Sequence, residues 1–305
     1  MDRRGFLTLG LGGSRAVAFQ RRRVVQRLGG ADLGEGFVVR PRSSWSTGLM
    51  PTAPLDPEDP RFLLVHHSAT TNDYTPDAVP AFLRQFYALH TGPEKGWPDV
   101  AYNFFVDRYG GVWEGRTGSL DGPVRGDATG GNQGYSQLCC FVGDHQVTAP
   151  TIEAQRAMTH LLAFLGERYR IDTSPGASTA FTSLGSNRWP YGTQVTTTTI
   201  AGHRDMSETV CPGDAAYTLV REVFPAQVTA IRLEHAAAAT TSTTDAVAAA
   251  PHATVQEQAN TSRSTTRNSG EWPGPIVAGA ASVGLLVAGA VALRLRLLNR
   301  RRPHS

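Results

Sequence analysis

The sequence predicts a single α/β domain in which helices pack on a β-sheet around one core. Short continuous apolar runs at 62–65 and 138–142 are typical of strands buried on both faces. A helix is predicted to begin near Thr75-Pro76, and its apolar residues recur at helical spacing. These residues are Val79, Phe82, Leu83, Phe86 and Leu89.

The remaining elements follow the same alternation of strand and helix. Residues 103–114 predict a β-hairpin, because two β-rich runs flank a loop that contains Gly110 and Gly111. Thr151 is predicted to cap a second helix, and Asp214 a last one that reaches Phe224. Residues 196–200 predict a strand. Residues 172–195 lack periodicity, so we expect a long surface loop, and loops of that length usually have a function.

The charge distribution argues against binding of nucleic acid. The formal net charge is +3, but residues 1–30 hold seven Arg and residues 294–305 hold five. The chain between these tails therefore carries more acidic than basic side chains. A nucleic-acid interface needs a basic patch on the folded part, so we expect none here.

The first 30 residues predict an export signal. Arg3-Arg4-Gly5-Phe6-Leu7 resembles a twin-arginine motif, although later arginines interrupt the apolar stretch. A disordered basic arm is the alternative for residues 1–30.

The opposite end predicts a membrane anchor. Residues 276–293 contain no charge and would span roughly 27 Å as a helix, close to the apolar thickness of a bilayer. The basic tail 294–305 then stays cytoplasmic, while an Ala/Thr/Ser-rich linker at 234–272 holds the domain at 37–230 outside the cell. We expect a monomeric, single-pass protein of the cell membrane.

Three short segments carry residues that suit a metal site. His66-His67 ends the first apolar strand, Gly202-His203-Arg204-Asp205 ends the Thr-rich strand, and Cys211-Pro212-Gly213-Asp214 follows soon after. Two imidazoles and one thiolate are three ligands, the number that a catalytic zinc site has when water takes the fourth position. Cys139 and Cys140 are adjacent in a strand and should face opposite ways.

Residues 40–224 resemble the peptidoglycan recognition proteins and type-2 N-acetylmuramoyl-L-alanine amidases. The resemblance rests on RPRSSW (40–45), FLLVHHSAT (62–70), WPDVAYNFFVDRYGGVWEGR (97–116), GHRD (202–205) and TVCPGD (209–214), in this order. It implies a central mixed β-sheet flanked by helices and a Zn²⁺ site. The implied ligands are His66, His203 and Cys211, which leaves His67 structural.

The same resemblance implies a reaction and the residues that serve it. A zinc-activated water would hydrolyse the amide between N-acetylmuramic acid and L-alanine in peptidoglycan, at the outer face of the membrane. Tyr102 would position the water and Thr209 would stabilise the oxyanion. The candidates for binding sugar and stem peptide are Trp97, Asn103, Arg116, Asn187 and Trp189.

Three alternatives stay open. The domain can bind peptidoglycan without hydrolysing it, although retention of Cys211 favours an enzyme. It can hydrolyse another N-acyl substrate with a groove reshaped by 172–195. It can also act as a tether between wall and membrane, with hydrolysis incidental.

Overall fold

The computed structural model describes residues 29–130 and 134–248, and a seven-stranded mixed sheet lies at the centre of this part. Its strands are β1 (Ala31–Gly34), β2 (Phe37–Arg40), β3 (Phe62–His67), β4 (Phe104–Val106), β5 (Val112–Glu114), β6 (Ser136–Phe141) and β9 (Ile200–Gly202). Their order across the sheet is β1-β2-β5-β4-β6-β3-β9. β3 runs parallel to both β6 and β9, whereas β4 and β5 form the predicted antiparallel hairpin. The prediction of an α/β domain with a mixed sheet is therefore confirmed.

Among the described residues, four α-helices accompany the sheet: α1 (Val79–Thr91), α2 (Ile152–Arg168), α3 (Asp214–Thr218) and α4 (Phe224–Ala248). Thr151 caps α2 as predicted, since its side chain accepts a hydrogen bond from the Ala154 amide. Asp214 is not a cap, because the residue before α3 is Gly213. A π-helical turn at Leu219–Val223 joins α3 to α4.

Alternation along the strands divides the core into two faces. Leu63, Val65 and Cys139 pack with α2 and the start of α4. Leu64 and Cys140 point to the other face, which we call the α1 face because α1 covers part of it. The prediction that Cys139 and Cys140 face opposite ways is confirmed.

The buried stripe of α1 differs from the predicted one. Val79, Leu83 and Phe86 are buried, but Leu89 is 53% exposed and His90 is buried in its place. The Nδ1 atom of His90 accepts a hydrogen bond from the Ala101 amide at 3.0 Å. Because this partner satisfies the imidazole, His90 can lie on the buried side of α1, where the apolar pattern predicted Leu89.

The predicted long loop at 172–195 is wrong in its main feature. Strands β7 (Ser178–Thr182) and β8 (Gln194–Thr198) pair there as a separate antiparallel hairpin. Phe181 and Val195 are buried on the α1 face. The predicted strand at 196–200 is accordingly divided between β8 and β9, which belong to different sheets.

Packed elements extend beyond 37–230 at both ends. β1 pairs with β2, and Leu33 is buried in the core. α4 continues to Ala248, and Arg232 donates hydrogen bonds to Ile171 O and to Thr173 Oγ1. The first residues assigned to the 234–272 linker are therefore helical.

No helix within 29–130 and 134–248 has both the length and the apolar character that a bilayer crossing requires. The predicted span 276–293, the basic tail 294–305 and the export signal within 1–28 lie outside the described residues. They stay predictions.

Candidate metal centre and active site

His66 is the fifth residue of β3 and projects from the α1 face. It is fully buried. His67 points the opposite way, and its Nδ1 accepts a hydrogen bond from the His145 amide at 3.1 Å. The structure thus gives His67 a structural partner, which agrees with its predicted role.

His203 and Cys211 come from one irregular segment, which follows β9 directly. His203 opens a single 3-10 turn that ends at Asp205, and Cys211 lies eight residues after His203. The Arg204 amide donates to Cys211 O at 3.0 Å, so the segment folds back on itself. β9 is parallel to β3, and this pairing brings His203 beside His66.

The three predicted ligands converge. One ligand atom from each of His66, His203 and Cys211 lies within 4.8 Å of the other two. Cys211 Sγ is 3.6 Å from His66 Nδ1, and the two imidazole centroids are 4.6 Å apart. The His67 amide also points at Cys211 Sγ, at 3.4 Å, which favours the thiolate form. The prediction that these residues meet is confirmed.

Burial keeps the imidazoles neutral, as metal ligands must be. Desolvation, followed by the neighbouring His203 and His67, lowers the pKa of His66 well below its ordinary value. Desolvation, followed by His67, lowers the pKa of His203 to about 4. In the absence of a metal ion, desolvation raises the pKa of the Cys211 thiol to about 12.

One buried atom at this point has no protein partner. His66 Nε2 is inaccessible to solvent and makes no hydrogen bond. The other nitrogen of this ring, Nδ1, lies 3.6 Å from Cys211 Sγ, so Nδ1 rather than Nε2 is the atom that a cation between the three ligands would contact. Two imidazoles and a thiolate form a donor set that suits zinc, so the residues present fit a metal ion.

Tyr102 lies in a row of rings that begins at the metal ligands. Its ring centroid is 5.1 Å from that of His66 and 5.7 Å from that of His90, whose ring is 5.1 Å from Trp97. Desolvation raises the pKa of the Tyr102 phenol well above 10, so this phenol keeps its proton at neutral pH. The structure therefore places Tyr102 next to the ligands and Trp97 two rings further out.

Sequence reasoning did not identify Cys140 as the thiol beside this site. Cys140 is paired in register with His66 and packs in the same cluster as Tyr102 on the α1 face, and its thiol donates a hydrogen bond to Phe141 O at 3.4 Å. The predicted alternation of Cys139 and Cys140 placed one thiol on this face without identifying which one.

Thr209 contacts the chain beside Cys211. Its Oγ1 accepts a hydrogen bond from the Cys211 amide at 3.2 Å, and this bond leaves the hydroxyl proton available for an acceptor elsewhere. An open cleft of about 310 Å³ adjoins Thr209 and is also lined by Arg188, Arg204 and Tyr217.

Two of the predicted substrate-binding residues need correction. Asn103 is fully buried, and its Nδ2 donates to Ser119 Oγ and Val124 O while its Oδ1 accepts from the Leu138 amide. These bonds tie β4 to β6 and leave the amide no group for a ligand.

Arg116 is the second residue whose predicted role in substrate binding needs correction. Its side chain is 3% exposed and forms an ion pair with Asp127 at 2.5 Å, and its Nη1 also donates to Val100 O. The guanidinium therefore serves a buried internal pair and is withdrawn from any stem-peptide carboxylate.

Asn187 and Trp189 lie on the loop between β7 and β8, and both bond to the segment that carries His203 and Cys211. Trp189 Nε1 donates to Asp205 O, and the Asn187 side chain bonds to the Glu208 backbone in both directions. The structure assigns these polar groups to protein contacts.

Comparison with known proteins agrees with this geometry. The family model for N-acetylmuramoyl-L-alanine amidase matches residues 56–214, which include His66, Tyr102, His203, Thr209 and Cys211. The match covers more than half of the chain.

Individual relatives share the same region. Peptidoglycan recognition protein 1 of Rattus norvegicus is 30% identical over 186 residues, covering 61% of this chain and 86% of its own. The N-acetylmuramoyl-L-alanine amidase of Homo sapiens is 28% identical over 188 residues, or 60% of this chain and 28% of its own. A crystal structure of Drosophila peptidoglycan recognition protein SD aligns with a TM-score of 0.47 at 20% identity, covering 60% of this chain and 92% of that one. From the family match and the rat relative, the chain belongs to the N-acetylmuramoyl-L-alanine amidase family.

Proposed function

We propose that the protein is a zinc-dependent amidase that cleaves the bond between N-acetylmuramic acid and L-alanine in peptidoglycan. The observation that carries the proposal is the convergence of His66, His203 and Cys211 beside Tyr102. Family membership supports the substrate class.

The donor set supports zinc in particular. Zinc bonds of ~2.3 Å to sulfur and ~2.0–2.1 Å to nitrogen in a tetrahedral arrangement put the two ligand atoms about 3.5 Å apart. The observed separation between Cys211 Sγ and His66 Nδ1 is 3.6 Å. Three protein ligands leave the fourth position open, which is typical of catalytic sites.

When bound, zinc supplies a Lewis acid that polarises the amide carbonyl and makes water a better nucleophile at neutral pH. Side chains of the protein orient the water, transfer the proton and stabilise the oxyanion. The Tyr102 phenol holds its proton and can orient water through a hydrogen bond, and this proton is available for the leaving amine. The Thr209 hydroxyl can donate to the developing oxyanion.

The location at the outer face of a membrane belongs to the same proposal, and it rests on the sequence of 1–30 and 276–293 alone. Peptidoglycan lies outside the cytoplasmic membrane, so the proposed substrate requires this orientation.

The test uses the purified full-length chain, loaded with zinc and incubated with a muramoyl peptide. We expect release of a free L-alanine amine, detected by mass spectrometry as separate sugar and peptide products. Cys211→Ser and treatment with a chelator should each abolish the release. Val210→Ala is the matched control, because Val210 is 64% exposed and adjacent to Cys211.

The alternative functions give different results. Binding of sacculi by the zinc-loaded chain without new amines would show a recognition module instead of an enzyme. Cleavage of another N-acyl amide in preference to the muramoyl bond would show a different substrate.

A further inference from the structure

The loop that joins β7 to β8 lies directly against the segment that supplies two of the metal ligands. We call residues 183–193 the bracing loop and residues 203–211 the ligand segment. Five hydrogen bonds join them. They are Ser186 Oγ to Met206 O (2.9 Å), Asn187 Nδ2 to Glu208 O (3.1 Å), the Glu208 amide to Asn187 Oδ1 (2.9 Å), Arg188 Nη1 to Arg204 O (3.1 Å) and Trp189 Nε1 to Asp205 O (2.9 Å).

These bonds have a common pattern. In each of them a side chain of the bracing loop meets a backbone group of the ligand segment. The contacted residues all lie after His203 and before Cys211. Since the contacts fix the backbone rather than individual side chains, they constrain the path of the chain between the two ligands.

Internal hydrogen bonds and the packing of its hairpin hold the bracing loop in place. The Ser186 amide donates to Trp189 O at 2.8 Å, and the Trp189 amide donates to Ser186 Oγ at 2.9 Å. The hairpin beneath it is anchored on the α1 face, where Phe181 is buried with its ring 5.5 Å from that of Phe62. The hairpin thus connects the ligand segment to the central sheet.

The ligand segment has little regular structure of its own. A single 3-10 turn at His203–Asp205 is its only helix, and its internal bonds include Arg204 N to Cys211 O and Met206 N to His203 O. His66, by contrast, is fixed inside a fully buried strand. The spacing of His203 and Cys211 relative to His66 therefore depends on what holds the segment.

We infer that the bracing loop is a positioning device for the metal centre, which holds the ligand segment so that His203 and Cys211 meet His66 at the spacing a metal ion needs. This inference rests on the proposed function only for the identity of the metal. Asn187 and Trp189, which the sequence predicted as substrate contacts, are positioning residues in this account. Loss of partners that orient metal ligands typically lowers metal affinity ~10–100-fold.

The test compares Trp189→Phe and Asn187→Ala with the unmodified full-length chain. Trp189→Phe keeps an aromatic ring at this position and removes the donor to Asp205 O, while Asn187→Ala removes both bonds to Glu208. Gln194→Ala is the matched control, because Gln194 bonds to Thr182 within the same hairpin. Two quantities are measured: zinc affinity in competition with a chromophoric chelator, and backbone hydrogen exchange of the ligand segment in the zinc-free protein.

We expect the zinc dissociation constant to rise about tenfold in each of the two variants and to stay within twofold in the control. Exchange at 204–210 should become faster in the variants, while exchange within β3 and β6 should not change. Comparing exchange at 204–210 with exchange in β3 and β6 separates local loosening of the ligand segment from a general loss of stability. If Asn187→Ala does not fold, Trp189→Phe alone provides the test.

Zinc affinity and exchange at 204–210 that match those of the unmodified chain in both variants would overturn the inference, as would an equal loss in Gln194→Ala. Failure of the unmodified chain to bind zinc would instead contradict the proposed function. In that case the exchange data on the zinc-free protein still decide whether the bracing loop holds the ligand segment.

Discussion

At the scale of single residues, the backbone at Gly213 shows why a glycine stands two residues after Cys211. Its φ is +90°, and a Cβ added there would lie 2.2 Å from the carbonyl carbon of His145. Only glycine permits this approach of two backbones. The close packing fixes the path of the chain just after the thiol ligand.

We therefore expect Gly213→Ala to destabilise the protein by roughly 2–4 kcal/mol, because the obstructing atoms are backbone and cannot rotate away. Gly176→Ala is the control, since Gly176 also has a positive φ but no atom within 4 Å of an added Cβ. It should cost about 1–2 kcal/mol. Urea unfolding at neutral pH measures both, and equal losses would contradict the steric explanation.

Tyr102 is the residue whose chemistry the proposed function needs most. Tyr102→Phe should lower kcat by about 10²-fold or more, because the ring stays beside His66 while the proton is lost. Zinc affinity should stay within twofold. Steady-state kinetics and zinc titration on the same preparation check this, and unchanged kcat would remove Tyr102 from the mechanism.

At the scale of elements, α4 illustrates how low sequence complexity hides a structural role. The sequence predicts a linker from residue 234 onwards, because Ala, Thr and Ser dominate this stretch. Two residues earlier, however, Arg232 donates hydrogen bonds to Ile171 O and to the buried Thr173. Besides the apolar packing of Phe224 and Val228, the helix is therefore held by polar contacts that an apolar pattern does not reveal.

Arg232→Ala should destabilise the domain by about 1–3 kcal/mol, since it leaves the Thr173 hydroxyl and the Ile171 carbonyl without this donor. Leu233→Ala is the control, because Leu233 is 66% exposed. It should change stability by less than ~0.5 kcal/mol. If denaturant midpoints of the two variants coincide, α4 is not held through Arg232.

The β7–β8 hairpin is the element that sequence reasoning missed. Gly, Ser and Pro interrupt 172–195, and each strand contributes little apolar surface. Phe181 and Val195 are the buried apolar residues of the hairpin, while Ala180, Gln194 and Thr196 beside them are exposed. Two short strands with one buried apolar residue each give a weak period of two, and only pairing and packing on the α1 face make them a stable unit.

At the scale of the whole molecule, several buried imidazoles make stability depend on pH. Desolvation, followed by the nearby Lys95 and Arg116, lowers the pKa of His90 to about 4, and Asp99 opposes this shift. Burial also lowers the pKa values of His67 and His145. The unfolded chain has ordinary imidazole pKa values near ~6.5 and binds protons first as the solution is acidified.

This difference in pKa between the folded and unfolded chain makes the folded protein less stable as the pH falls. A depressed pKa in the folded protein gives stability that is complete above about pH 6.5 and is lost as the pH falls towards 4. His90 alone should contribute up to about 3 kcal/mol of this loss. Urea midpoints of the zinc-free chain at pH 7, 6 and 5 measure it, and His90→Gln should flatten the profile. A profile that is equally steep without His90 would contradict this assignment.

The sequence determined which residues carry chemistry, and it did so through order and residue type. Imidazoles at the ends of two strands and a thiol in TVCPGD indicated a metal site, because parallel neighbouring strands end at the same edge of a sheet, and the family resemblance selected His66 over His67 as a candidate ligand. Local sequence patterns also predicted the core strands, the hairpin of β4 and β5 and the capped α2, because these patterns involve residues close together in sequence.

Tertiary structure alone decided which polar groups remain available. Asn103 and Arg116 carry the right groups for a ligand, but buried partners already occupy them. Asn187 and Trp189 bond to the ligand segment, and His90 enters the core through a backbone amide. Each of these outcomes depends on a hydrogen-bond partner distant in sequence, and such pairings arise only when the chain is packed.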